Sequence, residues 1–402
     1  MSLDLHKIAG QIADMAAGLG ERRAERDAHL SLALDTLSTA QSDVIEEKRA
    51  LSRTTFLVAG LRGSLTGRHP SPALPPAYAA LAVDGSHIDV DRHLAARCYL
   101  INLGTVHIRY GEQPVAELGS EPRLFTDEQD MYLRDPGSGR TQALEGSLLG
   151  ALRAVEELRT LAALAEQSPD NTPTLALIDG SLILWSLAGQ AYQDFVRRAL
   201  IDDMFLPVMD RLRELARSRP LALAAYVSLP RSADVVNALR LDNRRCPYEA
   251  ANCDMHCGSL ALGQRPCDAI AGVMDRDIFG ELLGGGERSD VFATTSSIVE
   301  RYYGEHEVHF YYLNSGEEIA RVEIPAWVAD STELLSLTHA GLIDQCRKGH
   351  GYPVAISEAH EQAVVTGGDR EEFRVMVEAA LGTQRLPVYT SLKDRSKRVK
   401  WL

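Results

Sequence analysis

The sequence predicts a mixed α/β protein: one sheet with helices packed on it, an N-terminal helical arm and an inserted loop rich in cysteine. Three observations carry that prediction. Short all-apolar runs, in "YAALAV", "TLALI" and "PLALAAYV", have the length and the bounding turn residues of buried strands. Longer segments carry apolar residues at helical spacing, most clearly at Leu148, Leu149, Leu152, Val155, Leu158, Leu161 and Leu164. The order reads strand, strand, strand, helix, strand, helix, strand, helix, which puts helices against a sheet.

Taken in order, residues 1 to about 67 read as a helical arm, periodic through "IAGQIADMAAGL" and again through "DVIEEKRALSRTTFLVAGL". "RHPSPALPPAY" then places four prolines in eleven residues, a stiff linker over 68–78 that no helix crosses. The main domain is expected over 79–392. "YAALAVDGS" predicts a strand ending at Asp84, and "RCYLINLGTVHIRYG" one or two strands joined near Gly104. Residues 111–142 are polar and turn-rich and read as an insertion. "ALEGSLLGALRAVEELRTLAALAEQ" is a helix stopped by "SPDNTP", and "TLALIDGS" a strand ending at Asp179. A long helix is expected from about Ile183 to Arg217, then the strand "PLALAAYVSL", then a short helix capped by Ser232. "EVHFYYL" and "EIARVEIP", parted by "NSGE", form a hairpin, and "STELLSLTHAGLIDQCRK" a helix capped by Ser331 or Thr332. The stretch from Gly351 gives an extended entry, a short helix or strand, a Gly-Gly turn and a final helix. No repeat of fixed period is present.

Composition bounds the function. The chain has 402 residues and a net charge of −14, with no run of 18 or more apolar residues. Its charged N-terminal stretch reads as an amphipathic helix and not as a signal peptide, so the expected location is the cytoplasm. The acidic balance argues against indiscriminate polyanion binding, although a local basic groove or bound metal would still admit a nucleic acid. The tail over 393–402, with Lys393, Arg395, Lys397, Arg398 and Lys400, is a candidate phosphate or partner contact. No Gly-x4-Gly-Lys-[Ser/Thr] sequence occurs, so any energy input comes from a partner.

Asp-Gly-Ser occurs twice, at Asp84 and Asp179, each after an apolar strand. Ligands of open α/β sheets collect at the carboxyl ends of strands. Two converging carboxylates repel unless one takes up a proton or a cation lies between them, and hard oxygen donors suit magnesium or manganese. Single Asp-Gly-Ser turns are common in any protein, so it is the pairing that argues for a site. A third carboxylate is expected from "LRAVEELRTL", where Glu156 and Glu157 both border the buried face and periodicity does not choose between them. "GYPVAISEAHEQAV" adds Tyr352 and His360.

Of six cysteines, Cys98 and Cys346 stand alone. Cys246, Cys253, Cys257 and Cys267 fall within 22 residues, beside His256, in a loop over about 244–290. So dense a group in a cytoplasmic protein points to a structural zinc or iron–sulfur site rather than disulfides, although the spacing lacks the usual Cys-x2-Cys pairs.

"AVDGS", "LRAVEEL", "LALIDGSLILW" and "GYPVAISEAHEQAV", in that order, resemble the NurA nuclease family, and "FYYL…GEEIARVEIPAWVA" resembles one branch of it. The resemblance covers roughly residues 75 to 392. It implies a ribonuclease-H-like core, whose element order this sequence shares, and a homodimer. It implies manganese-dependent DNA degradation, 5′ to 3′ on duplexes and also on single strands, with magnesium as the other candidate ion. It implies a hexameric HerA-type ATPase as partner in DNA end resection. Carried onto this sequence, Asp84, Glu157 and Asp179 bind metal, with Glu156 the alternative glutamate. Tyr352 and His360 complete the site, and Arg231 contacts a DNA phosphate. Competing readings are a non-catalytic scaffold that binds DNA ends or a motor, and a phosphatase or ribonuclease using the same acidic cluster.

Overall fold

The structure is a computed structural model and describes residues 4–90, 96–168, 171–189, 192–261 and 263–385. The basic tail over 393–402 lies outside the described residues. The chain forms two compact units. The larger comprises Pro72–Tyr226, Ser297–Val308 and Glu323–Leu402; the smaller comprises Met1–Ser71, Val227–Ser296 and His309–Val322.

The larger unit is built on β1 (Tyr78–Ile88), β2 (Tyr99–Tyr110), β3 (Val115–Phe125), α1 (Ser147–Gln167), β4 (Thr174–Asp179), α2 (Leu206–Ser218), β5 (Leu221–Val227), α3 (Thr332–Lys348) and α4 (Val354–Ala363). Its strands lie in the order β3-β2-β1-β4-β5. The first three are antiparallel neighbours, while β1, β4 and β5 run parallel. The mixed α/β sheet with flanking helices is therefore present.

The two faces of β1 differ. Leu81 and Val83, with Ile101 and Leu103 of β2, join the core that includes Leu148, Leu152, Val155 and Leu158 of α1. The alternate residues Ala80, Ala82 and Asp84 point to the opposite face, because successive side chains of a strand alternate. That face is made of small residues. Asp84 pairs with Gly104 across the β1–β2 ladder, and a Cβ at Gly104 would overlap the Ala359 carbonyl and the Ala363 nitrogen of α4. Helix α4 supplies its own small stripe, with Ala355, Ala359 and Ala363 buried at a spacing of four. Backbone thus packs on backbone, and the glycine marks a close approach of α4 rather than a joint: β2 runs through it unbroken.

Three further expectations are corrected in this unit. β1 does not end at Asp84 but continues to Ile88. Residues 115–125 are not an insertion but a full strand, in register with β2 from Tyr99↔Phe125 to Arg109↔Val115. The long helix does not start at Ile183. The Leu182, Ile183 and Leu184 N–H groups are taken by Glu323 Oε2, Ser181 Oγ and Tyr303 Oη, and Gly189 turns at φ +79°. Helix begins at Asp194 and widens to a π-helical stretch, Arg198–Phe205, just before Pro207, where the Leu206 N–H donates to Ile201 O. A proline cannot donate and crowds the preceding turn, so the widened stretch lets the helix continue into α2.

The smaller unit carries the helices Leu5–Thr39 and Ser42–Leu51. Helix was expected on to about 67 but stops at Leu51, because the following backbone bonds elsewhere: Arg53 with Ala251 and Cys253, and Ala59 N–H with Asp234 O. Gly60–Leu61 pairs with Phe292–Ala293, and Arg68–His69 with Arg288–Ser289. The predicted hairpin forms from Val308–Asn314 and Ile319–Pro325. The helix Asp234–Leu239 is not capped by Ser232, whose hydroxyl bonds Tyr312 Oη at 2.8 Å. Asp275, from a distant helix, takes its first N–H groups, at Val235 (3.1 Å) and Val236 (2.8 Å). No helix of the described residues is long and apolar enough to cross a membrane.

Candidate active site

The parallel pairing of β1 with β4, Val83 opposite Ile178, brings Asp84 and Asp179 to neighbouring positions at one end of the sheet. Each carboxylate has a partner from the C-terminal segment. His360 Nδ1 lies 2.7 Å from Asp84 Oδ2, and a carboxylate neighbour assigns the proton to that nitrogen. Tyr352 Oη donates to Asp179 Oδ1 at 2.7 Å, and its ring stands edge-on to Tyr226, the residue opposite Asp179 on β5, at 5.4 Å and 87°. Helix α4 is tied down beside them: Ser86 Oγ donates to Ala363 O (2.5 Å) and Asn102 Nδ2 to the same oxygen (2.9 Å). The first Asp-Gly-Ser thus supplies both the carboxylate and the anchor of the helix that carries its histidine.

The open choice of glutamate has a structural answer. Glu156 faces Arg123 of β3 at 2.9 Å and Arg159 at 2.5 Å, and both guanidiniums neutralise it. Glu157 turns to the carboxylates. Its Oε1 sits where a side chain on Gly85 would be, 2.6 Å from that glycine's missing Cβ. Gly85 and Asp84 face opposite sides of β1, so Glu157 reaches the cluster from the α1 side, past a residue with no side chain. Glu157 Oε1 is buried without a hydrogen bond; Arg153 Nε is 3.0 Å away in an ion pair. Burial first, then the charges of Asp84 and Asp179, push the Glu157 carboxyl up to about 8 against the lowering pull of Arg153. Asp179 is solvent-accessible at the strand end, yet loss of hydration and the nearby Asp84 charge still raise it, opposed by the Tyr352 hydrogen bond.

Two raised carboxyls and an orphaned buried oxygen, all hard donors, are the chemistry of a divalent-cation site. As placed, no three His, Cys, Asp or Glu side chains among the described residues form a group that could hold a metal ion. The donor set fits, and the spacing is wider than a ligand shell.

Arg231 belongs to the smaller unit, where it is exposed. The four clustered cysteines lie there too, all free thiols, with Cys253 and Cys257 one helical turn apart. Burial raises the Cys257 thiol, with smaller contributions from Cys267, Cys253 and Cys246. Arg240 Nη2 approaches Cys267 Sγ at 3.3 Å, and the Lys48 ammonium bonds the Cys246 carbonyl.

One residue of the site escaped the sequence reading. Glu323, buried, accepts from Ser181 Oγ (2.7 Å) and from the Leu182 N–H (3.0 Å), fixing the turn after Asp179. Its only signal is a lone acid inside "RVEIP", a strand whose one other charged residue is Arg321.

An acid-lined sheet end with a histidine and a tyrosine bonded to its carboxylates is the candidate site for acid–base chemistry. The family model for the NurA domain matches residues 78–365, and the chain belongs to the NurA family. That makes it a nuclease of a DNA-repair context, in a family that acts with a partner. A comparison with curated proteins gives no match.

Proposed function

We propose that this chain is a manganese-dependent deoxyribonuclease, with magnesium as the substitute ion, that degrades DNA ends. Digestion runs 5′ to 3′ on duplexes and extends to single strands. It serves end resection in the cytoplasm as a homodimer beside a hexameric HerA-type ATPase. The observation that carries the reading is the grouping of Asp84, Asp179 and Glu157 at one sheet end, with His360 and Tyr352 bonded to the two aspartates. The strand order of the larger unit supports a ribonuclease-H-like core. Leu5, Ile12, Met15 and Leu19, exposed on the first helix at a and d spacing, support that helix as the dimer or motor contact.

Phosphodiester hydrolysis needs an activated water, a stabilised leaving oxygen and neutralised phosphate charge. A divalent ion held by Asp84, Asp179 and Glu157 would supply charge neutralisation and water activation. The protein's own groups do the rest. Asp84 holds His360 by Nδ1, which leaves Nε2 to exchange a proton with the leaving oxygen. Tyr352 fixes the orientation of the Asp179 carboxylate. Arg153 limits the charge that Glu157 presents, and Arg231 takes a DNA phosphate. For Cys246, Cys253, Cys257 and Cys267 the proposal is a zinc or iron–sulfur staple that draws the thiols together. Metal analysis of the purified chain checks it: zinc, or iron together with acid-labile sulfide, is expected, and is lost in a Cys253→Ser, Cys257→Ser double variant.

End-labelled linear duplex incubated with the full chain tests the main reading. Label is released in manganese, not in chelator, and Asp179→Ala slows release by at least about a thousandfold. A variant as active as the parent removes the nuclease assignment from these carboxylates. No cleavage in any metal, even with an added HerA-type motor, leaves an end-binding scaffold.

A further inference from the structure

Trp185 is 43% exposed, while Leu182, Ile183, Leu184 and Leu187 around it are buried. An exposed indole on an otherwise apolar turn would normally be loosely held, and this one is not. Its Nε1–H donates to Ser181 Oγ at 3.1 Å, and Ser181 donates in turn to Glu323, which is 2% exposed. The backbone on either side is fixed as well. Tyr303 Oη accepts from the Leu184 N–H (2.9 Å) and donates to Leu182 O (3.1 Å). The ring is thus a rigid, half-open aromatic face, anchored through the second Asp-Gly-Ser.

Ser181 also lines a cavity of about 260 Å³ that starts at Glu157 and Asp179. One rim carries Arg153, and the walls are apolar, with Leu158, Leu184 and Phe205. Apolar walls, a single cation and an adjacent acidic cluster match one flat, uncharged ring joined to a phosphate. The volume is below the roughly 300–1,000 Å³ of a drug-sized ligand site, so it suits one ring and not a base pair. Phosphate would lie toward Arg153, and base toward the hydrocarbon walls; Trp185 stands beside this lining rather than in it, following Leu184 in sequence and bonded to Ser181.

We propose that this cavity and Trp185 seat one unpaired nucleotide beside the carboxylates, with Trp185 as the stacking face, so that the strand enters the site already separated from its complement. The proposal rests on the nuclease reading for its biological sense, but its test does not use cleavage. Base–aromatic stacking is tolerant of sequence, so the seat takes any base.

The test is fluorescence anisotropy with the full chain in chelator, where no metal-dependent cleavage consumes the probe. The probes are a labelled oligothymidylate of about 12 nucleotides, an abasic strand of the same length and a blunt duplex. Trp185→Ala is expected to weaken oligothymidylate binding about tenfold, to leave the abasic strand and the duplex unchanged, and to keep the parental melting temperature. Trp185→Phe should restore most of the affinity, since the ring and not the indole N–H does the stacking. Oligothymidylate should also quench indole fluorescence in the parent and not in Trp185→Ala, where Trp327 and Trp401 remain. Equal oligothymidylate affinity in Trp185→Ala and parent overturns the proposal. So does a loss that is the same for the abasic strand, which would mark a phosphate contact. If all three binding results hold while Asp179→Ala still cleaves, the seat stands and it is the assignment of the nuclease carboxylates that fails.

Discussion

The two Asp-Gly-Ser copies are identical in sequence and different in physics. At Asp179 the strand ends, and Gly180 makes the turn at φ +85°, with open space where a side chain would go. At Asp84 there is no turn. The strand runs on to Ile88, and Gly85 is needed because Glu157 Oε1 occupies the place of its Cβ, with Arg153 carbons at 3.0 and 3.2 Å. One glycine is there for its backbone freedom, the other for its missing side chain. The serines differ likewise: Ser86 holds the C-terminal end of α4, whereas Ser181 holds a buried glutamate and an indole. The lesson is that a repeated tripeptide places two like carboxylates without repeating the local structure.

Alanine in place of each glycine separates the two roles. Gly85→Ala should act on chemistry, displacing Glu157 and lowering cleavage about 10–100-fold, the range seen when a metal ligand loses its orientation. Its melting temperature should move little, because the clash is met mainly by the end of a flexible side chain. A Gly85→Ala chain with full activity would mean that Glu157 does not serve the site.

Glu157→Gln sharpens the same half of the comparison through pH. In the metal-free chain the folded state holds a proton on Glu157 up to about pH 8, whereas the unfolded state releases it near the ordinary value of 4.5. Folding stability therefore falls as pH rises through that window, by about 1.4 kcal/mol per unit. The glutamine variant should lose this slope and be the more stable chain at pH 8, as read from denaturant midpoints in chelator. Equal slopes in the two proteins would show that Glu157 is ionised at neutral pH.

Gly180→Ala should have the smallest effect and of the opposite kind. Alanine at positive φ costs about 1–2 kcal/mol, seen as lower stability, with cleavage retained once the chain is folded. A large activity loss without a stability loss would show that the two glycines do the same work after all.

The sequence made the buried strands legible, because β4, β5 and the first half of β1 are nearly all apolar, and it made α1 legible through its periodicity. It concealed β3, an edge strand whose residues are mostly exposed and whose apolar residues are broken up by Glu117, Ser120, Glu121, Pro122 and Arg123, so neither alternation nor an apolar run marks it. That omission explains the undecided glutamate. Both Glu156 and Glu157 are buried, and what separates them is Arg123, which comes from β3. The carboxylates, Tyr352 and His360 could be picked out by residue type. Their pairing could not, since it depends on a strand register and a helix contact that no local pattern encodes. The start of the long helix was misplaced for a similar reason: Glu323, Ser181 and Tyr303 capture the N–H groups that would otherwise have begun it.

Gly104 bears on how much error the site can absorb. It sits opposite Asp84 and lets α4 rest with its main chain directly on the sheet. Nothing compressible separates the two, so the distance from His360 to Asp84 is gauged by peptide atoms alone. Elsewhere in a core a neighbouring side chain can change rotamer to accommodate a new methyl group. Here there is none to yield, and one added carbon on a residue that performs no chemistry would lift the histidine off its aspartate. A tight tolerance of the site is thus set at a position that a search for reactive groups passes over.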